Sequence, residues 1–170
     1  MTTTATVLEA RLAEVLEEKS LLKHPFYRAW TQGTLPAERL QEYARQYFHF
    51  EAAFPRFLSA LHSRVEDPGV RQLILENLWD EEYGERNHRA LWLEFAEALG
   101  VPRAEVEASA ANAETAALVA HFDTMCREGA PGDALATLYA YEGQVPAVAR
   151  QKIAGLQAFY GLKPEAFEFF

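Results

Sequence analysis

Leu40, Tyr43, Tyr47, Phe50, Phe54, Phe57 and Leu61 recur at intervals of three or four residues, and no other feature constrains the fold of this chain as much. Apolar side chains at that spacing form one continuous stripe along a helix, whereas a half-buried strand would alternate every second residue. Elsewhere Ala, Glu, Leu and Arg dominate, and no stretch shows the Val/Ile/Thr alternation of a strand. Those residue types favour helices, so the chain is expected to be all-α.

Prolines and glycines divide it. A first helix is expected over about residues 5–22, with Leu8, Leu12 and Val15 on one face. His24-Pro25 ends it, because a residue before proline is pushed out of the α region. Pro25 then opens a short helix through Phe26, Tyr27 and Trp30, which Gly33 closes. The aromatic helix begins at Thr34-Leu35-Pro36, and Pro55 is expected to kink it. After the turn Asp67-Pro68-Gly69, a third long helix is expected to run to Leu99-Gly100. A shorter helical pair covers roughly residues 102–127, and a last long helix about residues 133–160. Pro164 begins a further element, which closes on two exposed-looking phenylalanines, Phe169 and Phe170, as though cut short. All 170 residues read as one domain without internal repeats.

Charge and composition exclude several classes. A net charge of −9 argues against nucleic acid or an anionic membrane as partner. No apolar run approaches the roughly 20 residues of a membrane span. Met1-Thr2-Thr3-Thr4 lacks the basic and apolar parts of a secretion signal. Cys126 is the single cysteine, which excludes an intrachain disulfide, and the cytoplasm is the expected location.

The third helix carries the chemistry. Its inward stripe reads Val70, Ile74, Asn77, Glu81, then Gly84 or Glu85, His88, Leu91 and Phe95: apolar, polar for two turns, then apolar again. On one unbroken helix Glu81 and His88 share a face about 10 Å apart along the axis. In the last helix Glu142 interrupts the stripe Leu135, Leu138, Val145, Ala149 and Leu156. A buried ionised carboxylate is unfavourable unless something neutralises it. One such residue is more simply paired with an arginine or turned to water. Three, on two facing helices, point instead to a metal within the helices. Carboxylate and imidazole without thiolate suit iron, manganese or zinc. Glu85-Arg86-Asn87-His88 also fits the Glu-x-x-His signature of di-iron bundles, but no second copy exists, and Glu85 is expected to pair with Arg89 one turn on.

Other residues read as structural when taken alone. Tyr43 and Tyr47 belong to the aromatic stripe and Tyr27 and Trp30 to a hydrophobic lid, while Lys152 falls near the inward side of the last helix and reads as a solvated or snorkelling lysine. Cys126 reads as a small buried apolar residue, and His24, His49, His62 and His121 show no ligand spacing.

Longer motifs add a resemblance. His24-Pro25-Phe26-Tyr27-x-x-Trp30, Gln41-x-Tyr43-Ala44 and Ala52-x-Phe54-Pro55-x-x-Leu58-Ser59-Ala60-x-His62-Ser63-Arg64 resemble the CADD-like family. So do Asn77-Leu78-x-Asp80-Glu81-Glu82-x-Gly84-x-x-Asn87-His88 and Leu138-Tyr139-x-Tyr141-Glu142-x-Gln144-x-Pro146. The likeness covers essentially the whole chain. More distantly the chain is similar to PqqC and to TenA thiaminases.

The resemblance implies a haem-oxygenase-like up-and-down helical bundle, with its last helices missing from this chain, and a di-metal oxidase. Glu81, His88 and Glu142 would be metal ligands. The rest of the set would come from a His-x3-Asp-x2-His motif beyond Phe170. The implied cofactors are two metal ions, iron or iron with manganese, with O₂ as co-substrate and a reductant as a further small-molecule partner. The implied activity is synthesis of 4-aminobenzoate for folate from the protein's own side chains. Tyr27 would supply the ring, Tyr43 would be a second implicated tyrosine, and Lys152 the amino donor. Alternatives are a PqqC- or TenA-like enzyme acting on an external small molecule, and a non-enzymatic death-domain-type interaction protein. The aromatic-rich helical surface is expected to support a homodimer.

Overall fold

Helix starts fall where the chain supplies a proline or a capping oxygen. In the computed structural model, which describes residues 4–170, the order is α1 (Thr4–Glu18), α2 (Pro25–Thr31), α3 (Ala37–His62), α4 (Pro68–Glu82) and α5 (His88–Ala98). Then follow α6 (Arg103–Ala108), α7 (Ala113–Glu128), α8 (Pro131–Glu142) and α9 (Val145–Phe159). Short 3-10 turns stand at Leu21–Lys23 and Pro164–Phe167, and no strand occurs among the described residues. Side chains of His24, Asp67, Asn87 and Asn112 accept the first free backbone N–H groups of α2, α4, α5 and α7. Such caps each contribute about 1 kcal/mol.

The helices group into two compact units. One comprises the described residues up to Leu35 together with residues 139–161, and the other comprises residues 36–138 and 162–170. The larger unit is built on α3, which packs against α4, α5, α6 and α7. Leu40, Phe50, Phe54, Phe57 and Leu61 of the expected stripe are all buried there. Burial of such a side chain contributes roughly 1.5–3 kcal/mol. Tyr43 and Tyr47 are only half-buried, and Ala44, Phe48 and Glu51 take fully buried places beside them. Trp92 of α5 is completely buried, and its Nε1 donates to the Ala44 carbonyl at 2.8 Å. α3 continues through Pro55.

In the smaller unit α2 packs on α9. Trp30 is fully buried, and its Nε1 donates to the backbone carbonyl of Lys152 at 3.2 Å. Gly155 permits this approach, because a Cβ at that position would meet Trp30 Cδ1 at 2.7 Å.

Four sequence expectations are corrected. The first helix ends at Glu18 rather than near Leu22, and Leu8 and Val15 of its apolar face are exposed. The third helix is two helices: α4 ends at Glu82, and α5 begins at His88. Between them Gly84 adopts φ +84°, a backbone region that other residues enter only with strain. The last helix is also two, α8 and α9, joined through Gly143 and Gln144, so Glu142 is a terminal residue rather than an interior one. Finally, Phe169 and Phe170 are half-buried rather than exposed. Their rings lie 4.8 and 6.0 Å from Trp92, and Phe170 lies 5.1 Å from Phe95.

Candidate metal centre

The break at Gly84 brings Glu81 and His88 together. On a continuous helix their backbones would stay two turns apart, but the turn folds the start of α5 back towards the last turn of α4. Asn87 ties the two ends: its Oδ1 accepts from the Ala90 N–H at 3.0 Å. Its Nδ2 donates to the carbonyls of Glu82 and Gly84, both at 3.2 Å. His88 Nδ1 thereby stands 2.9 Å from Glu81 Oε2. It also stands 3.8 Å from Oε1 of Glu51, which reaches the same point from α3. One ligand atom from each of the three residues lies within 4.8 Å of the other two.

Glu51 and Glu81 are 5% and 8% exposed, while His88 is half-buried. Hydrogen bonding to the Glu81 carboxylate raises the His88 pKa above its ordinary value, and burial opposes that rise. By distance the pair is an ion pair, yet no donor is aligned on the buried Oε2 of Glu81. A hydrogen bond weakens steeply when its N–H points aside. Nδ1 and Oε2 converge on one point, and a cation shared between them would suit that approach. Cis ligands held about 2.1 Å from one ion are about 3.0 Å apart. The oxygen and nitrogen donors, with no thiolate among the three, fit iron or manganese.

The surroundings are partly closed. The Phe169 ring lies 5.6 Å from the His88 ring. A cavity of about 270 Å³ opens beside Glu51, Pro55, Glu81 and Asn87. Arg89 borders it but pairs with Glu107 at 2.7 Å, so the expected Glu85–Arg89 pair is replaced. Glu85 is exposed in the turn between α4 and α5, and no helical Glu-x-x-His segment forms. Arg86 joins Glu94 at 3.2 Å and Glu168 at 2.6 Å, holding the 3-10 turn at Pro164–Phe167 to this end of α5. All three side chains are solvated, so this contributes little stability.

The remaining candidate residues are distributed over both units. Tyr43 lies in the larger unit, its ring 5.5 Å from Trp92 and 5.4 Å from Tyr47. Glu142 is half-buried at the end of α8 and belongs to the smaller unit. Tyr27 and Lys152 meet in that unit: Lys152 Nζ lies 5.6 Å from the ring centres of both Tyr27 and Trp30. Lys152 is 6% exposed, so its inward placement holds but the expected solvated amine is replaced by a buried one. Cys126 is buried, and burial pushes its thiol up to about 11, as expected of an inert residue.

Glu51 escaped the sequence reading. It follows Tyr47 by four residues and precedes Phe54 by three, so the rule that exposed Glu81 applied to it equally. The neighbouring Phe50 satisfied the apolar stripe and drew attention from it.

A family description of iron-containing redox enzymes matches residues 41–170. The chain belongs to this family. It is similar to the 4-aminobenzoate synthase of Nitrosomonas europaea, 46% identical over 166 residues, which covers 92% of this chain and 68% of that protein. It is also similar to the 4-aminobenzoate synthase of Chlamydia muridarum, 43% identical over 161 residues, covering 94% of this chain and 68% of the relative. The pyrroloquinoline-quinone synthase of Granulibacter bethesdensis is 30% identical over 156 residues, covering 90% of this chain and 61% of that enzyme. Membership makes the chain an oxidoreductase of the haem-oxygenase-like, all-helical kind, in agreement with its helices. No described helix is long and apolar enough to cross a membrane.

Proposed function

We propose that this protein is an iron-dependent oxidoreductase that makes 4-aminobenzoate for folate biosynthesis, using its own tyrosine and lysine side chains as the source. The observation that carries this reading is the buried Lys152, whose Nζ lies 5.6 Å from the centre of the Tyr27 ring. The relatives named 4-aminobenzoate synthase support the product.

4-Aminobenzoate is a benzene ring with a carboxylate carbon opposite a nitrogen. A tyrosine side chain already has that para arrangement, with Cβ at one end and the phenol oxygen at the other. Making the product requires cleavage of Cα–Cβ, oxidation of Cβ to carboxylate, and replacement of the phenol oxygen by nitrogen. In this reading Tyr27 contributes the ring and one carbon, Lys152 contributes the nitrogen, and Tyr43 is a second tyrosine taking part in the oxidation. Trp30 orients the amine from two directions. Its indole N–H fixes the backbone of residue 152, and its ring lies beside Nζ and shields it from water.

Glu81, His88 and Glu142 are the proposed metal ligands. When bound, two ions, iron or iron with manganese, supply redox chemistry towards O₂ with electrons from a reductant. The chain's own contribution at this centre is to orient His88 through Asn87 and to cover its ring with Phe169. The working form is proposed to be a cytoplasmic homodimer.

The test uses protein grown with heavy-carbon ring-labelled tyrosine, loaded with ferrous iron and given a reductant and O₂. Labelled 4-aminobenzoate is expected with no aromatic substrate added, and Tyr27→Phe and Lys152→Arg are expected to stop its release. Unlabelled product, or equal yield from both variants, would sink the self-derived source. That outcome would favour an external small molecule, a reading the cavity beside Glu51 and Glu81 also accommodates.

A further inference from the structure

We propose that the cleft between α3 and α7 is a binding site for a small aromatic carboxylate that carries a hydrogen-bond donor on its ring, the class to which aminobenzoates belong. The cleft lies in the larger unit, and binding there does not require the self-derived source proposed above. His49, Ala53, Arg56 and Phe57 of α3 face Ala116 and Ala120 of α7 across about 430 Å³ of space. His49 and Ala53 flank Glu51 at two residues each, which turns them to the side of α3 opposite the candidate metal centre. None of the residues lining this cleft borders the cavity beside Glu81.

The cleft is formed by small residues and held open by hydrogen bonds. Alanine stands at 53, 116 and 120, on facing stripes of the two helices, and each leaves a gap that a larger side chain would fill. Phe57, 1% exposed, forms the base, and the rings of Phe50 and Phe122 hold it with centres 5.9 and 5.8 Å away. Ala111, between α6 and α7, closes one end. Gln46 ties both sides of that residue to α3: its Nε2 donates to the Ala110 carbonyl at 3.1 Å, and its Oε1 accepts from the Asn112 N–H at 2.9 Å. His49 adds a third tie, to Ser109 Oγ at 3.2 Å. A pre-formed apolar hollow with a few fixed polar groups is the usual form of a small-molecule site.

The polar groups select the ligand. Asp123 is engaged by Arg127, whose Nε donates to both carboxylate oxygens, at 2.8 and 2.9 Å. Arg56 is exposed and forms no ion pair among the described residues, which leaves its guanidinium as the uncommitted charge of the cleft. A planar fork of N–H donors suits a carboxylate. Ser109 Oγ donates to the Val106 carbonyl at 2.7 Å, so towards His49 it accepts. That places the proton of the neutral imidazole on Nε2 and leaves Nδ1 as an acceptor for an amino or hydroxyl group. Seven residues separate His49 from Arg56, so acceptor and cation share one face of α3 about 10 Å apart along the axis. The arginine side chain leans back towards the helix N-terminus, which shortens the interval to the length of a substituted benzoate. The flat faces of such a ring meet the alanines and Phe57.

The test titrates the metal-free full chain with 4-aminobenzoate in a calorimeter, at physiological salt, where the chain's net charge of −9 is largely screened. Saturable one-to-one binding is expected. Arg56→Gln is expected to weaken it roughly tenfold, and Arg56→Lys to recover part of the loss. Benzoate, which lacks the donor for His49, is expected to bind several-fold more weakly, and aniline, which lacks the carboxylate, not to bind. Ala120→Leu, which fills the cleft, is expected to abolish binding. Arg56 is exposed, so its variants keep the fold, and circular dichroism checks this. No binding by the parent, or parental affinity in Arg56→Gln, overturns the assignment. Aniline binding as tightly as 4-aminobenzoate also overturns it, since the cleft would then be an apolar surface without selection for charge. Binding lost in Glu81→Leu but kept in Arg56→Gln overturns it by placing the ligand at the metal centre. Labelled product from the iron-loaded protein without binding at this cleft overturns this inference alone, and binding here without product overturns only the proposed function.

Discussion

Glu81 and His88 approach within 2.9 Å although they belong to different helices, and the Asn87 side chain ties the turn that brings them together. Position and neutralisation are thus separate problems at this centre. The backbone solves the first, and the second falls to whatever opposes the carboxylates.

Without metal, the buried Glu81 carboxylate is a liability. Glu81→Leu is expected to raise the stability of the metal-free protein by about 1 kcal/mol, because a well-packed apolar residue replaces a buried charge. The same variant is expected to lose the rise in melting temperature that the parent shows on adding ferrous iron. Melting curves with and without metal decide both points, and a less stable metal-free variant would contradict the first.

Asn87 caps α5 and donates to two carbonyls at the end of α4. Its replacement by alanine is expected to cost about 1–2 kcal/mol in denaturant unfolding. Because His88 is the next residue, metal affinity is expected to fall between about 10- and 100-fold as well. Unchanged affinity in a destabilised Asn87→Ala protein would show that the turn is organised without it.

Gly155→Ala sets two effects against each other. Alanine improves helix propensity by about 1 kcal/mol. The added Cβ would meet Trp30 Cδ1 at 2.7 Å and the Trp30 carbonyl oxygen at 3.1 Å. Overpacking of that kind costs about 1–3 kcal/mol, so a net loss is expected, with a lower melting temperature. A gain would mean that α2 and α9 separate easily.

Cys126 gives an alkaline signature. Burial holds its thiol at about 11, above the ordinary value of 9.0, so the folded chain keeps this proton longer than the unfolded one. Its contribution is therefore fully present below about pH 9 and declines as pH rises towards 11, by an amount of the order of 2 kcal/mol. The parent is expected to lose more stability than Cys126→Ala between about pH 8 and about pH 10.5, and comparison of the two cancels the lysines and tyrosines that titrate in the same range. Thiol reagents at neutral pH are expected to modify Cys126 only after unfolding.

Much of the fold was legible because apolar spacing reports burial directly: the α3 stripe, the short helix opened by Pro25, and the inward direction of Glu81 all follow from it. The break between α4 and α5 was not. Seven residues separate Glu81 from His88, two helical turns, so a continuous helix and a folded-back one show the same periodicity. Only the positive φ of Gly84 and the capping by Asn87 distinguish them. Lys152 was misjudged for a different reason. Lysine is seldom buried, and the rings that receive its side chain come from a helix far away in sequence. Glu51 lay on a readable period but next to a phenylalanine that explained the pattern equally well.

The tie between Trp30 and residue 152 runs to the main-chain carbonyl and not to the amine. Loss or chemical alteration of Nζ therefore leaves that strut intact, and α9 keeps its purchase on α2 whatever happens at the tip of the side chain. On the proposed self-derived source, a chain whose lysine had given up its nitrogen would still hold α9 on α2 through this bond, and the change would be read from its mass.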